Sequence, residues 1–246
     1  MGRVLVFGLG VLLLATFFLP ASMAEDSDVT SGYDAMLREH VDGDGFVDYE
    51  QLRLSRTALD AYVDYLATVD LDGMAKDDRL ATLINAYNAF MLQMVLDAGN
   101  VEHVLDDLEE PFDRKRFTLA GEQVSLNGLE NDWIRADFDE PRIHWAVNCA
   151  AASCPPLRAE AYVGNRLNKQ LAEQERLVHT DEKFVRYDGD TLFLTPLYDW
   201  YGQDFVDAAG SVYGYVRPLL DLPEEEPAIE FTEYDWTLND VRLKGP

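Results

Sequence analysis

The sequence predicts a single α+β domain with a buried central helix packed on a small, mostly antiparallel sheet. Three observations carry this. Lys76 to Ala98, KDDRLATLINAYNAFMLQMVLDA, is apolar nearly all round, the mark of a helix enclosed by other elements. Two hairpin signals come after it: Arg116 to Leu119 with Gln123 to Ser125 around Ala-Gly-Glu, and Phe184 to Tyr187 with Thr191 to Leu194 around Asp188-Gly-Asp190. Helical patterns come first and hairpins later, without the strand–helix alternation of a parallel sheet.

Taken in order, the chain opens with Arg3 and an apolar run from Val4 to Leu19. Ser22-Met-Ala24 then supplies small residues at cleavage spacing. Residues 1–24 therefore read as a secretory signal peptide. The run is shorter than the roughly 20 residues a spanning helix needs, and no cysteine follows it to take a lipid. Residues 25–32 read as a disordered start. The domain is expected over 33–222. Tyr33 to Val41 suits a short helix, and Gly45-Phe-Val-Asp-Tyr49 a turn into a brief extended piece. Glu50 to Val69 carries apolar residues at helical spacing, with Thr57 and Asp60 as a capping pair that splits it in two. The Lys76 helix stops at Gly99-Asn100. Leu126 to Ala136 reads as a helix, and Arg142 to Asn148 as a strand after Pro141. Ala161 to Val178, Leu197 to Ala209 and Ser211 to Leu220 read as helices. Residues 223–246 comprise an acidic linker, Pro223 to Pro227, and a last strand expected to pack back on the domain.

The chain carries 46 acidic and 20 basic residues, a formal charge of −26. Such a surface repels nucleic acid and anionic membrane, so neither is expected as a partner once the leader is removed. Abundant carboxylates also suit a protein that must stay hydrated in salt. A leader directs the protein to the periplasm or the exterior, where disulfides form. Cys149 and Cys154 are the only cysteines. Five positions apart, they are a local feature and not a disulfide framework.

Three stretches invite a site reading. VDGDGFVDYEQL, Val41 to Leu52, resembles a calcium loop, but His40 and Gln51 fall where the first and last acidic ligands belong. An exposed acidic turn is the simpler reading. Asn85 and Asn88 lie three apart on one face of the buried helix. Their amides must find partners or cost roughly 1–3 kcal/mol each, either in a structural network or by facing a substrate. RIHWAVNCAAASCPPL, Arg142 to Leu157, holds both cysteines and His144. On a strand, His144, Ala146 and Asn148 would line one face of a cleft, and a turn back after Asn148 would bring a sulfur to His144. Cys149 or Cys154 would then attack as thiolate, with His144 as base, Glu130 orienting the imidazole and loop N–H groups holding an oxyanion. The alternatives are a core histidine and a Cys149–Cys154 disulfide. Two thiols and one imidazole make a poor metal set in an oxidising compartment, so neither metal nor cofactor is expected.

Several segments together resemble the family catalogued as domain of unknown function 547. They are Gly45-Phe-Val-Asp-Tyr49; Ile84-Asn-Ala-Tyr-Asn-Ala89; Ser125-Leu-Asn-Gly-Leu-Glu130; Pro141 to Cys149 with Ser153-Cys-Pro-Pro-Leu157; Leu197 to Phe205; and Tyr234-Asp-Trp-Thr-Leu-Asn239. Ala150-Ala-Ala152 departs from it, standing where a glycine and a more polar run are expected. The resemblance implies a papain-like fold, with a cysteine at a helix start facing a histidine on a strand. Here His144 precedes both cysteines, so that likeness requires a rearranged chain order. It also implies that Asn85, Asn88, Glu130, Arg142, His144, Asn148, Cys149 and Cys154 share one site. Two functions fit. One is a secreted thiol hydrolase or acyl transferase acting on a peptide or cell-envelope amide, with Arg142, Asn85, Asn88 and Asn148 contacting substrate. The other is a non-catalytic module that binds a small molecule or peptide beside a disulfide.

Overall fold

The computed structural model describes residues 21–245, with side chains from residue 28. The expected leader run, Val4 to Leu19, lies outside the described residues. Helix α1 (Ala21–His40) covers the 25–32 segment that was expected to be disordered. Val29 packs on the core ahead of Tyr33, Met36 and Leu37, so the apolar stripe extends a turn further back than the sequence pattern suggested. Tyr33 stacks on Tyr62 at 4.3 Å, which docks α1 on α3 (Thr57–Leu66). Short α2 (Tyr49–Leu54) starts at Asp48, whose carboxylate accepts from Gln51 N. The Thr57–Asp60 cap does not form; Asp60 is taken by the Arg56 guanidinium at 2.8 Å.

Helix α4 (Lys76–Ala98) occupies the span its sequence pattern marks out. Its 23 residues are enclosed by α3, by α7 (Leu167–Thr180) and by the segments after residues 128 and 163. Packing on every side explains its lack of a polar face. Helix α5 (Val104–Asp107) follows, and then the hairpin of β1 (Phe117–Leu119) and β2 (Glu122–Val124). This hairpin packs on α4 through Phe117, stacked on Phe90 at 4.5 Å.

The rest of the sheet lies elsewhere. Strands β3 (Val185–Tyr187), β4 (Thr191–Leu194) and β5 (Ala228–Phe231) form a separate three-stranded sheet in which β3–β4 is antiparallel and β4–β5 parallel. It belongs to a second apolar cluster centred on Trp145, Tyr198 and Phe205, with α8 (Leu197–Trp200), α9 (Gly202–Ala209) and α10 (Val212–Leu220). The domain is thus α+β, but the single sheet expected beneath the central helix is split between two cores.

Two further local departures shape the site. The expected helix from Leu126 opens as α6 (Leu126–Gly128), capped by Ser125 Oγ accepting from Gly128 N. It then widens into a π-helical segment, Leu129–Arg135. Arg142 to Asn148 is not a strand. Pro141–Trp145 forms a 3-10 turn in which Pro141 supplies a preset φ and Glu140 caps the Arg142 N–H. The turn sends Ile143 into the first cluster and Trp145 into the second, with His144 between them. A strand's alternation would put Ile143 and Trp145 on the same side.

The residues after β5 run back along the cysteine loop. Ala152 N donates to Thr237 O at 2.6 Å, Ser153 N to Asp235 O at 3.1 Å, and Val47 N to Asn239 O at 2.8 Å. Gly45 permits this closure: its φ is +81°, and a Cβ there would lie 2.5 Å from Leu157 N. The acidic turn is held by Lys244, which pairs with Asp42 at 2.7 Å and Asp44 at 2.6 Å. Among the described residues, no helix is long and apolar enough to cross a membrane.

Candidate active site

A cavity of about 280 Å³ opens where the two clusters meet. Its lining includes Cys149, Cys154, His144 and Glu130, four residues the sequence brought into question. The remaining wall is mostly aromatic, with Tyr87, Phe112, Trp200, Tyr201, Tyr234 and Trp236, plus Asn127, Val147 and Leu197. Trp200, Tyr234 and Trp236 form one packed array with ring centroids 4.7–6.1 Å apart.

The chain does turn back after Asn148, and amides hold the bend. Asn148 Nδ2 donates to Pro155 O at 2.8 Å, and its Oδ1 accepts from Ala150 N at 2.9 Å, so one side chain ties both ends of the loop. Asn88 fixes Asn148 in turn: its Oδ1 accepts from Asn148 N at 2.8 Å and its Nδ2 donates to Ala146 O at 3.0 Å. Ala150 stands at φ +62°, a left-handed conformation that glycine would adopt more freely. The loop brings the two cysteines together, and Cys149 N donates to Cys154 Sγ at 3.0 Å. Both are free thiols.

Cys149 is partly exposed, and its sulfur lies 3.1 Å from Tyr234 Oη. Burial works to raise this thiol. Hydrogen bonds from Cys154, Tyr234 and the Ala151 backbone outweigh it and hold Cys149 below the ordinary cysteine value. Burial and the neighbouring Cys149 push Cys154 well above that value. Burial, with the sulfurs behind it, also keeps Tyr234 protonated. At 3.1 Å the Tyr234 hydroxyl is placed to donate to the Cys149 sulfur, the member of the pair that gives up its proton more readily.

His144 does not meet either sulfur by hydrogen bond. Its ring is enclosed, only 2% of the residue being exposed. Nε2 lies 2.8 Å from Asp204 Oδ2 and Nδ1 lies 3.5 Å from Glu130 Oε1. Arg135 grips Asp204 with two bonds of 2.6 and 2.7 Å. Burial would raise the Asp204 carboxyl, but hydrogen bonds from Arg135 and His144 hold it far below the usual carboxylate range. Asp204 can then only accept, so Nε2 carries a hydrogen and Nδ1 is left facing Glu130. Glu130 is 2% exposed, and its Oε1 makes no hydrogen bond. Tyr201 covers the imidazole at 4.0 Å.

The remaining sequence candidates lie off this wall. Asn85 clamps the backbone of Tyr162 at 2.8 and 2.9 Å. Asn88 and Asn148 hold the loop from behind. Arg142 pairs with Glu140 and with Asn168 at 3.0 Å on the surface. The loop N–H groups expected to cradle an oxyanion are already used: Cys149 N by Cys154, Ala150 N by Asn148, Ala152 N by Thr237 and Ser153 N by Asp235. The papain-like pairing of a helix-start cysteine with a strand histidine is replaced by a loop cysteine and a 3-10 histidine. Sequence reasoning missed Asp204, Arg135 and Tyr234. The dense aromatics of Leu197 to Phe205 and Tyr234 to Trp236 are the available signal in the sequence.

No curated protein and no solved structure matches the chain significantly. A family model described as "Protein of unknown function, DUF547" matches residues 71–177. That span holds Glu130, His144, Cys149 and Cys154 and stops before Asp204 and Tyr234. Over residues 71–177 the chain is therefore a DUF547 domain.

Proposed function

We propose that this domain is a thiol-dependent acyl transferase or hydrolase acting on a small acyl compound, with Cys149 as nucleophile, and that it works outside the cytoplasm after cleavage behind Ala24. One observation carries the reading: the Cys149 sulfur, on the wall of the cavity, is contacted by a phenol and a second thiol that favour its thiolate in spite of burial. Thiolate, not thiol, is the attacking species.

In this scheme Cys149 Sγ attacks a carbonyl carbon. The S–C bond forms as the carbonyl electrons move to oxygen. Tyr87 lines the cavity and burial keeps its phenol protonated, so it supplies an O–H donor to that oxygen. Collapse expels the leaving group, which takes a proton from a water admitted to the cavity. The hydroxide left behind attacks the thioester carbonyl, breaks the S–C bond and frees the acid and the Cys149 thiolate. Asp204 and Arg135 keep the imidazole oriented.

Alkylation with iodoacetamide at mildly acidic pH tests this, mapped by peptide mass. Cys149 should react and Cys154 should not, and a small thioester should be cleaved by the wild type and not by Cys149→Ser. An unreactive Cys149 in folded, reduced protein would end the proposal. A second reading, a binding module without chemistry, is favoured by His144 turning to two carboxylates and not to sulfur. It expects labelling of Cys149 with no acyl turnover.

A further inference from the structure

We infer that the ligand of this cavity carries an ammonium group, primary or alkylated, seated against Glu130. In placing that group beside an acyl carbon the inference rests on the acyl-transfer reading, while the ammonium seat itself stands on the wall of the cavity alone. Glu130 lines the cavity at 2% exposure, with Oε1 buried and without a hydrogen-bond partner. Its nearest basic neighbour, His144 Nδ1, is 3.5 Å away and forms no hydrogen bond. The Tyr201 hydroxyl bonds to Glu130, yet Oε1 is left without a donor; a buried carboxylate oxygen in that state is costly and marks a place that a ligand completes.

The chemistry of the missing donor follows from the rest of the wall. The lining holds no lysine and no arginine. Arg135, the cation next to the site, is spent on Asp204 through Nε and Nη2 and on Asn131 through Nη1. An anionic ligand would therefore meet the Glu130 carboxylate and no counter-charge. A neutral apolar chain would leave Glu130 Oε1 without a donor. An ammonium donates N–H to the carboxylate and meets ring faces on the other sides, for which Tyr87, Trp200, Tyr201, Tyr234 and Trp236 are placed. The volume of about 280 Å³ suits a short ligand, about nine heavy atoms if each takes the roughly 30 Å³ of a water molecule.

The test measures binding apart from chemistry. Cys149→Ser protein is titrated with n-butylammonium, n-butyramide and n-butyrate, followed by tryptophan fluorescence. Butylammonium should bind at least about tenfold more tightly than butyramide, the worth of one charge-assisted hydrogen bond, and butyrate should not bind. In Glu130→Gln protein of unchanged circular dichroism the two neutral-pH preferences should collapse to parity. The wild-type ranking stands on its own if that variant does not fold. Equal affinity for amide and ammonium, preference for butyrate, or no binding of any of the three would overturn the inference. An ammonium preference with an inert Cys149 would overturn the acyl-transfer reading alone; a reactive Cys149 with no such preference would overturn only the ammonium seat.

Discussion

Replacing Tyr234 with phenylalanine removes one oxygen and little else. The hydroxyl lies 3.1 Å from Cys149 Sγ, while the ring packs on Trp200 at 4.9 Å and Trp236 at 4.7 Å, contacts that phenylalanine keeps. A hydrogen bond to a charged group contributes about 1.5–3 kcal/mol, and one pKa unit corresponds to about 1.4 kcal/mol. Losing this donor should raise the Cys149 pKa, the thiolate losing an amount of stabilisation within that range. Cys154 and the Ala151 backbone still donate, which places the shift toward the lower end. The sign is fixed: the thiolate loses stabilisation, so ionisation moves to higher pH. At any pH below both midpoints the Cys149 alkylation rate should fall by about tenfold. Well above both midpoints the two proteins should react alike, which controls for access to the cavity. The assay is the rate of iodoacetamide incorporation at Cys149 against pH, with a thermal melt showing that Y234F folds. Superimposable profiles would refute the assignment of Tyr234 as donor, and with it the cause given for the thiolate.

Three other perturbations follow from the same geometry. Asn88→Ala strands the Asn148 N–H and the Ala146 carbonyl, both buried; about 2–4 kcal/mol should be lost, read by urea unfolding, and Cys149 labelling should lose its contrast with Cys154 as the bend loosens. Gly45→Ala forces a Cβ to 2.5 Å from Leu157 N at φ +81°, so it should cost at least about 2 kcal/mol and lower the melting temperature by several degrees. Glu160 is buried enough to raise its carboxyl, yet Arg158 and Arg38 hold it down at about 2, against an ordinary 4.5. Its contribution is therefore complete above about pH 4.5 and is lost as pH falls from there to about 2. With solvent screening it amounts to about 1–2 kcal/mol, and Glu160→Gln should flatten that acid limb of the stability profile.

Much of the scaffold was legible because it depends on local pattern. The ends of α4 are written in its acidic first turn and in Gly99, and the β3–β4 hairpin in Asp188-Gly-Asp190. The 142–148 strand failed because alternation was read where a proline start and a Glu140 cap favour a tight helical turn. Ile143 and Trp145 are both apolar, but they serve two different cores, which no local window reveals. The turn back after Asn148 could be anticipated from the small residues between Cys149 and Cys154. The partner of His144 could not, because Asp204 lies 60 residues on and reaches the ring only when α9 packs beside the 3-10 turn. Tyr234 was hidden for the same reason: residues 235–240 must first pair with the loop before a phenol can meet Cys149.

The most direct measurement is the ultraviolet absorbance of the thiolate as a function of pH, compared between wild type and Cys149→Ser. One thiol should ionise below the ordinary cysteine value, and that transition should vanish in the variant while Cys154 stays protonated to high pH. A wild-type curve with no ionisation below the ordinary value, or one unchanged by Cys149→Ser, would contradict a thiolate at Cys149 and remove the nucleophile from the site.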